Sequence, residues 1–82
     1  MIYKEKVIQK ENLEKFLHTL DSDEGVRIDN ESDHVFINKA SKRYCINVSV
    51  DNNDEFIYKN SADEVMGFLK NYLKQTTKIV TY

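Results

Sequence analysis

Few side chains in this 82-residue sequence have the types and spacing that catalysis or metal binding requires. His18 and His34 are the two histidines, and neither has another ligand residue at a zinc-type spacing such as Cys-x-x-Cys or His-x-x-x-His. Cys45 lies in a segment of alternating apolar and polar residues, which supplies neither a helix N-terminus nor a neighbouring base to activate a thiol. We therefore predict that the chain is not an enzyme and holds no metal and no cofactor.

Two acidic segments, 21–25 and 51–56, have the composition of calcium loops but not their spacing. The helix-loop-helix calcium site needs glycine at the sixth loop position, where the two segments place Val26 and Phe56. The chain has two glycines in all, and they are too far apart for the glycine-rich motifs of nucleotide-binding proteins and hydrolases. The sequence therefore contains neither a helix-loop-helix calcium site nor the glycine-rich motif of a nucleotide-binding protein or a hydrolase.

Composition indicates a folded chain rather than a disordered one, because 40% of the residues are hydrophobic and 32% are charged. The formal net charge of -2 argues against direct binding to nucleic acid, which requires clustered lysine and arginine. A single cysteine, a charged segment over residues 2–10 and the lack of any apolar run of roughly 20 residues predict a cytoplasmic protein that does not enter a membrane. Residues 1–82 are predicted to form one domain.

The first helix is indicated by apolar residues at positions i, i+3, i+4 and i+7, counted from Leu13. We predict that it covers residues 11–20. The polar segment after it is expected to end the helix through Gly25, since glycine tolerates a positive φ.

Four short segments of β character follow, separated by polar turns. They cover residues 26–29, 34–38, 43–50 and 55–59. The connections are too short for parallel crossovers, so they predict an antiparallel meander of three to four strands. Residues 2–8 are predicted to form an edge strand, and residues 78–82 to form a terminal strand that either pairs with it or frays.

The second helix has the clearest local signal in the chain, the capping box that begins at Ser61 and ends at Glu64. An apolar stripe follows and ends near Gln75. Gly67 lies inside this stripe. It indicates either close packing of the helix on the sheet or a glycine that the helix merely tolerates. The predicted fold is therefore α+β, with an N-terminal and a C-terminal amphipathic helix packed on one face of the meander.

Acidic residues gather in the first and third turns of this meander. Alternate turns of a meander lie at the same end of the sheet, so these residues should form one surface. They are Asp29, Glu31, Asp33, Asp51, Asp54 and Glu55. One interpretation is that they are solvated hairpin tips, since turns favour aspartate. The other is a surface that binds a basic partner, such as a nucleic-acid-binding protein.

The order of helix, antiparallel strands and helix, with the acidic segment 48–57 leading into the second helix, resembles the small acidic inhibitor proteins of phages. These include anti-CRISPR proteins that mimic DNA, and the resemblance covers residues 12–74. It implies an inhibitor encoded by a phage or mobile element that contacts its target through the acidic turns. The alternative is a structural or assembly protein that forms homodimers through an edge strand or an exposed sheet face, a hypothesis motivated by the apolar segment 79–82.

Overall fold

A computed structural model describes residues 6–74 and 77–82. The elements in chain order are β1 (Lys6–Ile8), α1 (Lys10–His18), β2 (Gly25–Asp29), β3 (Asp33–Ala40), β4 (Arg43–Val50), β5 (Asn53–Lys59), α2 (Ala62–Leu69) and β6 (Lys78–Thr81). The part of the predicted edge strand before Lys6 lies outside the described residues, and so does Gln75. Among the described residues, no helix combines the length and hydropathy needed to cross a membrane.

The six strands form a single antiparallel sheet in the order β1-β6-β2-β3-β4-β5. The predicted three- to four-stranded meander flanked by substantial helices was therefore wrong. Strands β2 to β5 are neighbours in chain order, as a meander requires. On the far side of β2 the sheet continues with β6 and then β1, so β6 lies between β1 and β2. Because β6 is an interior strand, the segment 79–82 is not the free apolar surface that motivated the self-association hypothesis.

The hydrophobic core lies between the two helices and one face of the sheet. Cross-strand partners point to the same side of an antiparallel sheet, so the register identifies that face. Its buried strand residues are Val26, Ile28, Val35, Ile37, Tyr44, Ile46, Val48 and Ile79. The helices contribute Leu13, Leu17, Val65 and Leu69. The hydroxyl of Tyr44 donates to the carbonyl of Leu17 at 2.7 Å, which joins β4 directly to α1.

Helix α1 is shorter than predicted because Thr19 competes for its last carbonyl groups. The Thr19 hydroxyl donates to the carbonyl of Phe16 at 3.2 Å, and the chain leaves the helix at this point. Gly25 was expected to end the helix through a positive φ, and this prediction was wrong. No described glycine has a positive φ, and Gly25 is the first residue of β2.

Helix α2 begins as its capping box predicts. The Ser61 hydroxyl accepts the backbone N–H of Glu64 at 3.2 Å, and the Glu64 carboxylate accepts the N–H of Asn60 at 3.0 Å. The helix ends at Leu69, well before the predicted end near Gln75. Gly67 is exposed and a Cβ there would meet no atom within 4 Å, so the close-packing interpretation of this glycine was wrong.

Candidate binding surface

The β2–β3 and β4–β5 turns lie side by side at one end of the sheet. Asp33 at the start of β3 is the cross-strand partner of Val50, and Val50 is the partner of Asn53 at the start of β5. The two acidic turns are therefore two strand spacings apart, about 10 Å. We call this end of the molecule, with its six candidate carboxylates, the acidic end.

The structure divides the six candidate carboxylates into two groups. Glu31, Asp51, Asp54 and Glu55 are exposed, and none of their carboxylates forms a hydrogen bond or ion pair with any residue that the structure describes. Asp29 and Asp33 are instead bonded within the fold. Four carboxylates are therefore available to a partner molecule, and two have structural roles.

Asp29 lies between two donors on the face of the sheet opposite the helices. Its Oδ2 accepts from Nε of Arg27 at 3.0 Å, and its Oδ1 accepts from Nδ1 of His34 at 2.8 Å. The histidine nitrogen must be the donor here, since an ionised carboxylate can only accept. Burial raises the pKa of Asp29, but the hydrogen bonds and positive charge of its neighbours outweigh burial and leave the pKa below its ordinary value.

This arrangement predicts an acid-dependent loss of stability. A carboxyl group whose pKa is lowered on folding stabilises the protein above its ordinary pKa of 3.8, and the contribution disappears as the pH falls through the lower folded value. Asp29→Asn should therefore reduce the free energy of unfolding by about 1 kcal/mol at neutral pH and by progressively less below pH of about 4.

Urea unfolding of both proteins across this pH range measures the difference. Asp54→Asn is the matched control, because Asp54 lies in the same cross-strand row and its carboxylate forms no hydrogen bond or ion pair with the described residues. A difference between the wild type and Asp29→Asn that persists undiminished in acid would contradict the assigned role of the charge.

Asn30 organises the β2–β3 turn, a role that was not predicted from the sequence. Its Nδ2 donates to Oδ1 of Asp33 at 2.6 Å and to the carbonyl of Tyr72 at 2.9 Å. Its Oδ1 accepts from the hydroxyl of Thr77 at 2.6 Å. These bonds join the acidic turn to the segment after α2 and so hold Glu31 at the rim of the acidic end. The available signal was an asparagine that begins a turn three residues before an aspartate.

The β4–β5 turn is held by backbone conformation rather than by side chains. Asp51 and Asn52 have φ of 48° and 67°, so both central residues are left-handed, as a two-residue type I′ hairpin requires. Aspartate and asparagine tolerate this conformation better than most residues do. The tight turn places Asp51 at the tip and Asp54 on the strand that leaves it.

The face of the sheet opposite the helices is uncovered at its β5 side. Phe36, Asn47 and Phe56 form one cross-strand row on this face, and Phe56 is 59% exposed. Tyr58 is 58% exposed, with the guanidinium of Arg43 lying 5.4 Å from its ring centre. Both rings are therefore exposed apolar surface on a strand at the edge of the sheet.

The β2 side of the same face carries a groove of about 590 Å³ beside Tyr82. A Cβ on Gly25 would lie 2.6 Å from Cζ of Tyr82, so glycine is the residue that lets this ring approach β2 so closely. Burial raises the pKa of the Tyr82 phenol, against a smaller opposing effect of the Arg27 charge. Asp23 and Glu24 also line the groove, which therefore carries both signs of charge.

Two clusters have the residue types of catalytic or metal sites. Asp29, His34 and Ser49 are cross-strand neighbours in the order of a catalytic triad, but within the described residues no hydrogen bond joins His34 to Ser49. Glu14, His18 and Asp63 have ligand atoms within 4.8 Å of one another, and all three are exposed. Nε2 of His18 lies 3.6 Å from Oδ1 of Asp63, which places a basic group at the end of α1 and an acidic group at the start of α2. Each is the position that the helix dipole favours.

Comparisons of the chain with protein-family models, with curated proteins and with solved structures give no match.

Proposed function

We propose that this chain is a non-enzymatic protein-binding module that binds a basic partner through the exposed carboxylates of its acidic end. The observation that carries the proposal is the division of the six carboxylates. The carboxylates of Glu31, Asp51, Asp54 and Glu55 are exposed and form no hydrogen bond or ion pair with the described residues, whereas the carboxylate of Asp29 is bonded to Arg27 and His34.

The geometry of the two turns supports this role. Each turn is held firmly, one by the Asn30 hydrogen bonds and the other by its type I′ conformation. A partner therefore does not have to order these loops when it binds, which lowers the entropic cost of association. Fixed negative charges at one end of the molecule also orient and accelerate the approach of a positively charged surface.

A nucleic-acid-binding protein is the partner class that we propose, because a groove that binds phosphates has positive charges at spacings that carboxylates can also occupy. An inhibitor encoded by a phage or mobile element, acting in the cytoplasm, would use the surface in this way. The chain would compete with nucleic acid for the groove and would need no catalytic residue of its own.

The proposal is tested by capturing the partner from its native cells and measuring the affinity of the purified pair in about 50 to about 500 mM salt. The double variant Asp51→Asn with Asp54→Asn should bind about tenfold more weakly than the wild type at low salt and should show a flatter salt dependence. The matched control is Asp21→Asn with Asp23→Asn, which removes the same charge from two exposed residues at the other end of the sheet.

A wild-type affinity that does not change with salt would contradict the proposal. So would equal losses in the two double variants, because net charge rather than the acidic end would then determine binding. Nucleic acid that fails to compete with the chain for the captured partner would exclude the nucleic-acid-binding class.

A further inference from the structure

Strand β5 is the one long edge strand of the described sheet. At the other edge, β1 is described over three residues, whereas β5 has seven and carries no proline. Natural edge strands are commonly protected by shortness, by proline, by bulges or by charged side chains, lysine above all. The charged residues of β5 are Asp54, Glu55 and Lys59. The single lysine of β5 is its last residue, Lys59, and the middle of the strand presents Phe56 and Tyr58.

Alternate residues of β5 point their backbone N–H and C=O groups toward the open edge of the sheet. The residues that flank a two-residue hairpin turn, here Val50 and Asn53, form a hydrogen-bonded pair, and such pairs alternate along antiparallel strands. The N–H and C=O groups of Phe56 and Tyr58 therefore point away from β4, toward the open edge. A second strand can pair with β5 only in a register that uses these groups.

We propose that the occupant of this edge is the β5 strand of a second copy of the chain, paired antiparallel about a two-fold axis at Ile57. In this register Phe56 lies opposite Tyr58 of the other copy and uses the outward backbone groups. Ile57 lies opposite itself, and Glu55 lies opposite Lys59. The proposal goes beyond the binding of a basic partner, since it leaves Glu31 and Asp51 exposed.

The side chains of β5 are complementary to themselves in this register alone. Glu55 and Lys59 lie on the same side of the sheet, and neither forms an ion pair with any described residue. A dyad at Phe56 would place Glu55 against Ile57, and a dyad at Glu55 would place two carboxylates together. The dyad at Ile57 instead forms two opposite-charge pairs and two aromatic pairs, each of which stabilises adjacent strands. The result is an isologous interface that continues the sheet from one copy into the next.

Sedimentation equilibrium of the full chain, from about 10 to about 500 µM, tests the proposal. The wild type should show a reversible monomer–dimer equilibrium. Glu55→Lys and Lys59→Glu should each weaken the dimer by about tenfold, because each variant places like charges opposite one another in two pairs. The double variant that exchanges both charges should restore the wild-type constant. Circular dichroism establishes that each variant is folded.

Cysteine cross-linking tests the register independently, in a background in which Cys45 is replaced by serine. A mixture of Glu55→Cys and Lys59→Cys chains should form the mixed disulfide under a mild oxidant, whereas neither variant alone should form its own cross-linked dimer. A wild-type monomer throughout the concentration range, failure of the charge exchange to restore association, or preferential cross-linking of Glu55→Cys to itself would each overturn the proposal. None of these results bears on the salt test of the acidic end.

Discussion

Asn30→Ala is expected to lower the free energy of unfolding by about 3 kcal/mol, the largest effect of any polar substitution that we predict. Asn30 is 9% exposed and forms side-chain hydrogen bonds to Asp33, Tyr72 and Thr77. Removal of the amide leaves each of these groups without its Asn30 bond, and the loss of a partner from a largely buried polar group costs about 1 kcal/mol or more. Urea denaturation at neutral pH measures the change.

The matched control for this substitution is Asn53→Ala in the neighbouring turn. Asn53 is exposed, and its one side-chain hydrogen bond, to the carbonyl of Asp51, is 3.5 Å long. Its replacement should change the free energy of unfolding by at most about 0.5 kcal/mol. Equal effects in the two turns would show that the Asn30 bonds do not hold the acidic end together. A large loss for Asn30→Ala alone would support their assigned role.

Ile79→Ala is expected to destabilise the protein by about 2 to 5 kcal/mol, because it leaves a cavity beneath the interior strand β6. Ile79 is 2% exposed and lies between Ile8 of β1 and Ile28 of β2. A frayed terminal strand, which was one of the two outcomes expected from the sequence, would make the same substitution nearly neutral. Thermal and urea unfolding therefore test the six-stranded topology itself.

Val7→Ala is the control for Ile79→Ala. Val7 lies in β1, the strand that pairs with β6, and is 59% exposed. Its expected cost is about 0.5 kcal/mol or less. A cost for Val7→Ala that equals the cost for Ile79→Ala would contradict the placement of β6. The pair of variants separates burial from membership of the sheet, because both residues have β-branched side chains and lie in strands that pair with each other.

The acidic end and the β5 edge provide different kinds of surface. The acidic end offers fixed negative charge on two firmly held turns, which suits orientation of a charged partner. The β5 edge offers backbone hydrogen bonds and exposed aromatic rings, which suit a short-range interface with one register. The double variant at Asp51 and Asp54 leaves the proposed Glu55–Lys59 pairs of the β5 edge intact, whereas the charge exchange at Glu55 and Lys59 also moves one carboxylate of the acidic end.

Much of the local structure could be predicted from the sequence. The spacing of apolar residues from Leu13 indicates α1, and the Ser61 capping box indicates the start of α2. The alternation of side chains in β4 indicates a strand with one buried face. These features could be predicted because each depends on residues a few positions apart, within the range where periodicity and capping act.

The candidate site could be predicted only in part. The sequence contains the six carboxylates and the short turns that bring them to one end, but it does not show which carboxylates remain free. Two of the three side-chain partners of Asn30, Tyr72 and Thr77, lie 42 and 47 positions away. No local pattern reports such contacts, because they form only when distant segments meet.

The element types, the hairpins of the central strands and the acidic composition of their turns follow from the order of residues, because short-range sterics and hydrophobic periodicity act within each segment. The entry of β6 between β1 and β2 and the open edge at β5 are visible in the folded chain alone. Each of these outcomes depends on which distant strands pair. Strand pairing is decided by burial of the whole sheet face rather than by any one segment.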